Sequence, residues 1–143
     1  VNSRLDTLQA AILKIKLQHL DEYAAARNKV AAFYDKAFVN HPKIKIPKRV
    51  KNSTHVFHQY TLQLNGVDRT LLREFLANKG IPAMIYYPIP LHMQKAYTDD
   101  RYKAGDFPVT ENLCANVVSL PMHTELEEDT LKYITDSVLE FCK

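Results

Sequence analysis

The sequence predicts an α+β fold, a small sheet covered on one face by helices. Three observations lead there. Residues 4–38 contain neither Gly nor Pro and carry apolar residues mostly three or four apart. Three short strand-like runs follow, and helical patterns are interleaved with them. Strands this few cannot enclose a core by themselves, so one sheet face must be covered by the helices. The other face is left for a partner or a further domain. At 143 residues, 46% hydrophobic and 24% charged, the chain is long enough to bury a core as one domain.

The first element is a helix. Leu5, Leu8, Ile12, Ile15, Leu20, Tyr23, Val30, Tyr34 and Phe38 place one apolar face on a single long helix. At 1.5 Å per residue it reaches about 50 Å, longer than a domain this small needs. Such a length suits a strut between two bodies. His41-Pro42 ends it. "PKIKIPKRVKN" is next, an extended connector with five basic residues between Lys43 and Lys51 and no acid.

"THVFHQYTLQL" predicts the first strand, with Val56, His58, Tyr60, Leu62 and Leu64 on one face and Asn65-Gly66 turning the chain. Asp68 caps a helix from Arg69 to Lys79, and Gly80 suits its C′ position. "PAMIYYP" predicts the second strand, and "IPLHMQKAY" a loop passing into a short helix. After the mobile-looking "TDDRYKAGDF", Pro108 opens a short helix to about Asn116, and "VVSLP" predicts the third strand. Thr124 and Glu127 have capping-box spacing before a last amphipathic helix carrying Leu131, Ile134, Val138 and Phe141.

Several chemistries find no support. The net charge of +3 neither demands nor excludes nucleic acid, and the run from Lys43 to Lys51 lacks the aromatic interleaving of a single-strand binder. Such a run reads as a solvated connector. Cys114 and Cys142 form neither a metal-ligand spacing nor a disulfide framework, so a reduced, cytoplasmic setting is expected. No apolar run approaches the ~20 residues of a membrane span, and no signal-peptide pattern is present. His55 and His58, three apart on a strand, would point to opposite faces and share no metal. His58 reads as a packed core histidine. The three Gly are isolated, so no phosphate loop forms.

"YYPIPLH" is more informative. Tyr86 and Tyr87 end a strand, where their hydroxyls can face a ligand. Pro88 and Pro90 stiffen the loop that delivers His92. Two Tyr at a strand end can equally be packing.

Four stretches in order, "NSRLDTLQAAIL", "HVFHQYTL", "GIPAMIYYPIPLHMQKAY" and "VVSLPMHTEL", resemble the C-terminal part of sugar aminotransferases of the DegT/DnrJ/EryC1/StrS type. The resemblance runs from Asn2 to about Phe141. It is greatest to the branch that aminates 3-keto nucleotide sugars, including UDP-linked 2-acetamido-3-keto uronic acids for surface polysaccharides. It implies the small C-terminal domain of the aspartate-aminotransferase fold, a long helix with a mainly antiparallel sheet. It also implies a homodimeric enzyme dependent on pyridoxal 5′-phosphate that takes its amino group from glutamate.

By the same resemblance, Asn2 reaches the cofactor phosphate of the neighbouring subunit, while Arg4, Tyr86, Tyr87 and His92 face the sugar. Tyr86 departs from relatives, in which His is frequent at that position. The catalytic Lys, the partner of the pyridine nitrogen and the ring-stacking residue would all lie upstream, leaving this chain a fragment, inactive alone. Two alternatives stay open. One is a dehydratase of the same family with His in place of that Lys. The other is a free-standing module that contacts nucleic acid.

Overall fold

The computed structural model describes residues 3–143. The elements are α1 (Thr7–Leu17), α2 (Leu20–Phe38), β1 (Ile44–Lys45), β2 (Tyr60–Leu64), α3 (Arg69–Asn78), α4 (Pro108–Asn116), β3 (Val117–Leu120) and α5 (Glu128–Phe141). Two short 3-10 turns, Leu91–Met93 and Lys95–Tyr97, lie between α3 and α4. The strands form an antiparallel sheet in the order β1-β2-β3, with Ile44 opposite Leu64 and Tyr60 opposite Leu120. The expected α+β class is what the chain adopts.

Register decides which side chains meet. Tyr60, Leu62 and Leu64 share a sheet face with Val118, Leu120 and Ile44, and all six are buried. Val30, Ala31, Tyr34 and Phe38 of α2, Leu72 and Leu76 of α3, and Leu131, Ile134 and Val138 of α5 close over them in one core. Thr61, Gln63, Val117 and Ser119 point the other way. There the short α4 brings Leu113 and Cys114 over them.

The N-terminal helix is not continuous. Asp6 and Gln9 form a reciprocal capping box that starts α1. At its other end Gln18 and His19 bond back to Ile15 and Lys16, three residues away, which tightens the last turn. No residue of α1 is buried. With no packing to hold the turn, local preferences decide it. The His19 ring pairs with Glu22, and Asp21 and Glu22 favour a fresh helix N-terminus at this point.

Two further expectations change. The "THVFHQY" run is not strand before Tyr60, because Phe57 takes a positive φ of 45°. That turns Phe57 into the core and leaves Val56 and His58 exposed, so His58 is not a core histidine. Three contacts hold this conformation, which L residues seldom adopt. The Phe57 N–H donates to His55 Nδ1 at 2.9 Å, its ring lies 6.1 Å from that of Tyr60, and the Arg49 guanidinium sits 4.8 Å over it. "PAMIYYP" contributes a single bridge, Met84 with Ser119, and no strand. Pro82 and Pro88 flank it and offer no N–H to a ladder. Within the expected connector, by contrast, Ile44–Lys45 pairs with β2.

Helix ends follow local chemistry. The Asp68 carboxylate accepts from the Thr70 and Leu71 N–H groups. Gly80, at φ 73°, closes α3 with Gly80 N–H to Ala77 and Ile81 N–H to Leu76, a Schellman pattern. Thr124 makes no cap. α5 starts from Glu127 without a side-chain bond, and Glu128 and Asp129 favour its first turn electrostatically.

The 98–107 stretch is pinned rather than loose. Asp99 pairs with Arg101, and the Glu111 carboxylate of α4 accepts from the Gly105 N–H at 2.9 and 3.0 Å and from the Phe107 N–H at 3.3 Å. These backbone donors, foremost Gly105, hold the Glu111 carboxyl below its ordinary value.

Two pH effects should follow. Glu111 stabilises the fold above the ordinary carboxylate range, and that contribution disappears as pH falls through its depressed value. Melting curves of the wild type and Glu111→Gln should therefore differ at pH 7 and converge toward pH 3. Tyr60 behaves oppositely. Burial, reinforced by its bond to Asp35, pushes its phenol far above the ordinary tyrosine range. Its contribution is complete below about pH 10 and is lost as pH climbs beyond it. Tyr60→Phe should cost about 1–2 kcal/mol at pH 7, by denaturant titration, and should flatten the alkaline fall in melting temperature.

Candidate functional site

The fold sorts the sequence-derived candidates into separate places. Asn2 lies outside the described residues. Arg4 is exposed ahead of α1. Tyr86 and Tyr87 emerge two and three residues after the Met84 bridge, with ring centroids 6.0 Å apart in an edge-on arrangement. Tyr87 is 71% exposed, so its ring and hydroxyl are available to a ligand. Tyr86 looks into a groove on the open sheet face, beside Lys45, Lys48, Thr61, Gln63 and Cys114. Donors and acceptors converge there without an acidic side chain. The groove can receive a polar or anionic group.

His92 stands elsewhere. Pro90 is buried and leads into the Leu91–Met93 turn, which sets the imidazole against α4. Its Nε2 is 3.1 Å from Glu111 Oε1, and its ring lies 4.8 Å from that of Phe107. The side chain is only 9% exposed. It lines a recess of about 410 Å³ with Leu91, Tyr97, Asp99, Tyr102, Phe107 and Thr110. No residue is shared between this recess and the Tyr86 groove, and Arg4 borders neither. Tyr86 and Tyr87 are brought together; His92 and Arg4 are not placed with them.

Sequence reading missed Glu111 and the rings of Tyr97, Tyr102 and Phe107. A signal was present: an acid in the first turn of a helix opened by Pro108, where it can face loop N–H groups. What it could not give was the return of the chain from His92, nineteen residues upstream, onto the same carboxylate.

The other candidates have structural employment. Arg49 pairs with Asp35 and covers Phe57, and Lys43 donates to the backbone oxygen of Lys143. The basic run is therefore partly tied into the fold. Cys114 and Cys142 are both free thiols, and burial pushes the Cys142 thiol up. Among the described residues no group of three or more His, Cys, Asp or Glu is placed to hold a metal ion, and no helix is long and apolar enough to cross a membrane. No described lysine is buried.

Comparison with known proteins adds identity. The DegT/DnrJ/EryC1/StrS aminotransferase family matches residues 1–139. A UDP-2-acetamido-2-deoxy-3-oxo-D-glucuronate aminotransferase of Pseudomonas aeruginosa is 41% identical over 134 residues, 94% of this chain and 36% of that protein. A pleiotropic regulatory protein of Geobacillus stearothermophilus is 41% identical over 142 residues, 98% of this chain and 38% of that protein. Among solved structures, DesV of S. venezuelae in complex with a ketimine intermediate superposes with a TM-score of 0.93 at 34% identity, over 100% of this chain and 38% of that one. The chain thus spans under two fifths of the length of these relatives. Over that span it belongs to the DegT/DnrJ/EryC1/StrS aminotransferase family.

Proposed function

We propose that this chain is the small, substrate-side domain of an aminotransferase that transfers an amino group from an amino acid, glutamate, to a keto nucleotide sugar for surface-polysaccharide synthesis. The enzyme would be a cytoplasmic homodimer. The observation that most supports this reading is the near-complete structural overlap with DesV, combined with family membership over residues 1–139. The names of relatives from Pseudomonas aeruginosa and Aneurinibacillus thermoaerophilus, UDP- and dTDP-linked sugar transaminases, point to the same substrate class.

Pyridoxal phosphate, which supplies an electron sink when bound, is the cofactor this reading implies. Asn2 is assigned to the phosphate of the cofactor in the neighbouring subunit, as a neutral amide donor. The helical segment α1–α2 is assigned to the junction with the remainder of the enzyme. That assignment accounts for an α1 that exposes Leu8, Ile12 and Ile15.

The work of this chain would be recognition. Tyr87 offers an exposed ring and hydroxyl, and Tyr86 borders the groove with Lys45 and Lys48. Arg4 can form a bidentate pair with a substrate carboxylate, and a uronic acid provides one. His92 is assigned to the sugar side through the recess it lines.

In the full-length enzyme, Arg4→Ala should raise the KM for the keto sugar about tenfold, the loss of one charge-assisted contact. The half-reaction with the amino donor should stay within about twofold. Single-turnover measurement of keto-acid release and of sugar amination separates the two. Equal slowing of both would remove Arg4 from the sugar site. Asn2→Ala should raise the dissociation constant of the cofactor about tenfold, measured by dialysis and equilibrium titration.

A further inference from the structure

We infer that Arg69 is a positioning residue: by holding the Cys114 carbonyl it fixes α4 over the open sheet face and so shapes the Tyr86 groove. The ligand of that groove rests on the proposed function, whereas the geometry does not.

α4 has no buried residue, so apolar packing does not decide how it lies. It runs straight into β3 at Val117, which fixes where it ends but not its direction. The last carbonyls of a helix need donors from outside it. Here the Asn112 carbonyl accepts from Asn116 Nδ2 at 2.9 Å, and the Leu113 carbonyl from the Val117 N–H. The Cys114 carbonyl accepts from Arg69 Nη1, forty-five residues upstream.

Nothing within α3 calls for an arginine at its first position. A cation in the first turn of a helix opposes the macrodipole, and Asp68 already meets the Thr70 and Leu71 N–H groups. At the C-terminal end of α4 the same charge is favourable. Arg69 is half-buried there, and its bond to the carbonyl is charge-assisted. Its placement serves α4 and not α3.

The consequence falls on the groove. Leu113 and Cys114 line its volume of about 380 Å³ together with Tyr86, Lys45 and Lys48. Arg69 therefore acts on a residue that borders the groove. Without Arg69, α4 keeps its chain link to β3 and, at its other end, the Glu111 contacts to Gly105 and Phe107. Between these two points it is free to shift. The core is not affected, because α2, α3 and α5 close it on the opposite face of the sheet.

The two free thiols of this chain make the test selective. Cys114 is half-buried at the groove, whereas Cys142 is 1% exposed within the core. In the full-length enzyme, alkylation by iodoacetamide is followed at each cysteine by peptide mass spectrometry. Arg69→Met should alkylate Cys114 about tenfold faster, the loss of one charge-assisted bond, with Cys142 unchanged. Arg69→Lys can donate to the same single carbonyl and should stay within about threefold of the wild type. Kinetics with UDP-2-acetamido-2-deoxy-3-oxo-D-glucuronate as probe should show a KM raised about tenfold in Arg69→Met, with the donor half-reaction unchanged. An unchanged Cys114 rate, or Cys114 and Cys142 accelerated together in both variants, overturns the inference. So does an unchanged KM, or equal slowing of both half-reactions. Should Arg69→Met fail to fold, Arg69→Lys decides: loss of its Cys114 protection to the level of unfolded chain overturns the inference, and retention supports it. If the wild type turns over neither this probe nor a dTDP-linked 3-keto sugar while Cys114 alone is exposed in Arg69→Met, the substrate assignment fails and the positioning of α4 by Arg69 stands.

Discussion

The fold hangs on a pair of buried tyrosines whose hydroxyls are both satisfied. Tyr34 of α2 and Tyr60 of β2 are fully buried with ring centroids 5.0 Å apart. Burying a phenol without a partner costs several times what its hydrogen bond returns, so each needs one. Tyr34 donates to the Pro121 carbonyl at 2.8 Å, which fixes the exit of β3 against α2. Tyr60 donates to Asp35 at 2.7 Å, and Asp35 also takes Arg49 from the connector. Arg49 then covers Phe57, whose positive-φ turn lies just ahead of β2. One aromatic contact thereby settles where the helix, two strands and the basic connector meet.

Away from this pair, a second clamp joins α3 to α5. Phe75 and Phe141 lie 5.3 Å apart, Lys79 stands over the Phe75 ring and pairs with Glu140, and the Tyr133 hydroxyl donates to the Lys79 carbonyl. The two clamps close the same face of the sheet. The opposite face receives only the short α4, which is why its polar residues, Thr61, Gln63 and Lys45, border a groove together with Tyr86. The groove follows from an uneven distribution of helices.

What could be read from the sequence was whatever depends on neighbours along the chain. The Asp68 cap, the Gly80 stop, the Pro108 start and the α5 stripe are all local signals, and each stands where expected to within a residue or two. Positions decided by distant contacts could not be read. The alternation of "HVFHQY" is a strand pattern until Arg49 and Tyr60 draw Phe57 inward and turn Val56 and His58 out. "PAMIYYP" has strand-like residues, but β3 accepts it at a single bridge. Of the site, Tyr86 and Tyr87 were legible as exposed aromatics after a strand-like run. The union of His92 with Glu111 was not, because it requires the chain to double back.

The same distinction explains the N-terminal helix. Periodicity reports an apolar face and not the partner that covers it, and here the two come apart. Leu8 and Ile12 are 79% and 57% exposed, whereas Val30, Tyr34 and Phe38, on the same stripe, are buried. An 11-residue helix without packing is marginal in water and rests on its capping box alone. The break at Gln18–His19 therefore falls where the cover ends: beyond it α2 is held by the core, before it α1 is held only by itself. Covering the Leu8–Ile12 face would supply the packing that α1 lacks, and the helical segment would then gain order from its N-terminal end. Its stability would then be set by that contact more than by its own sequence.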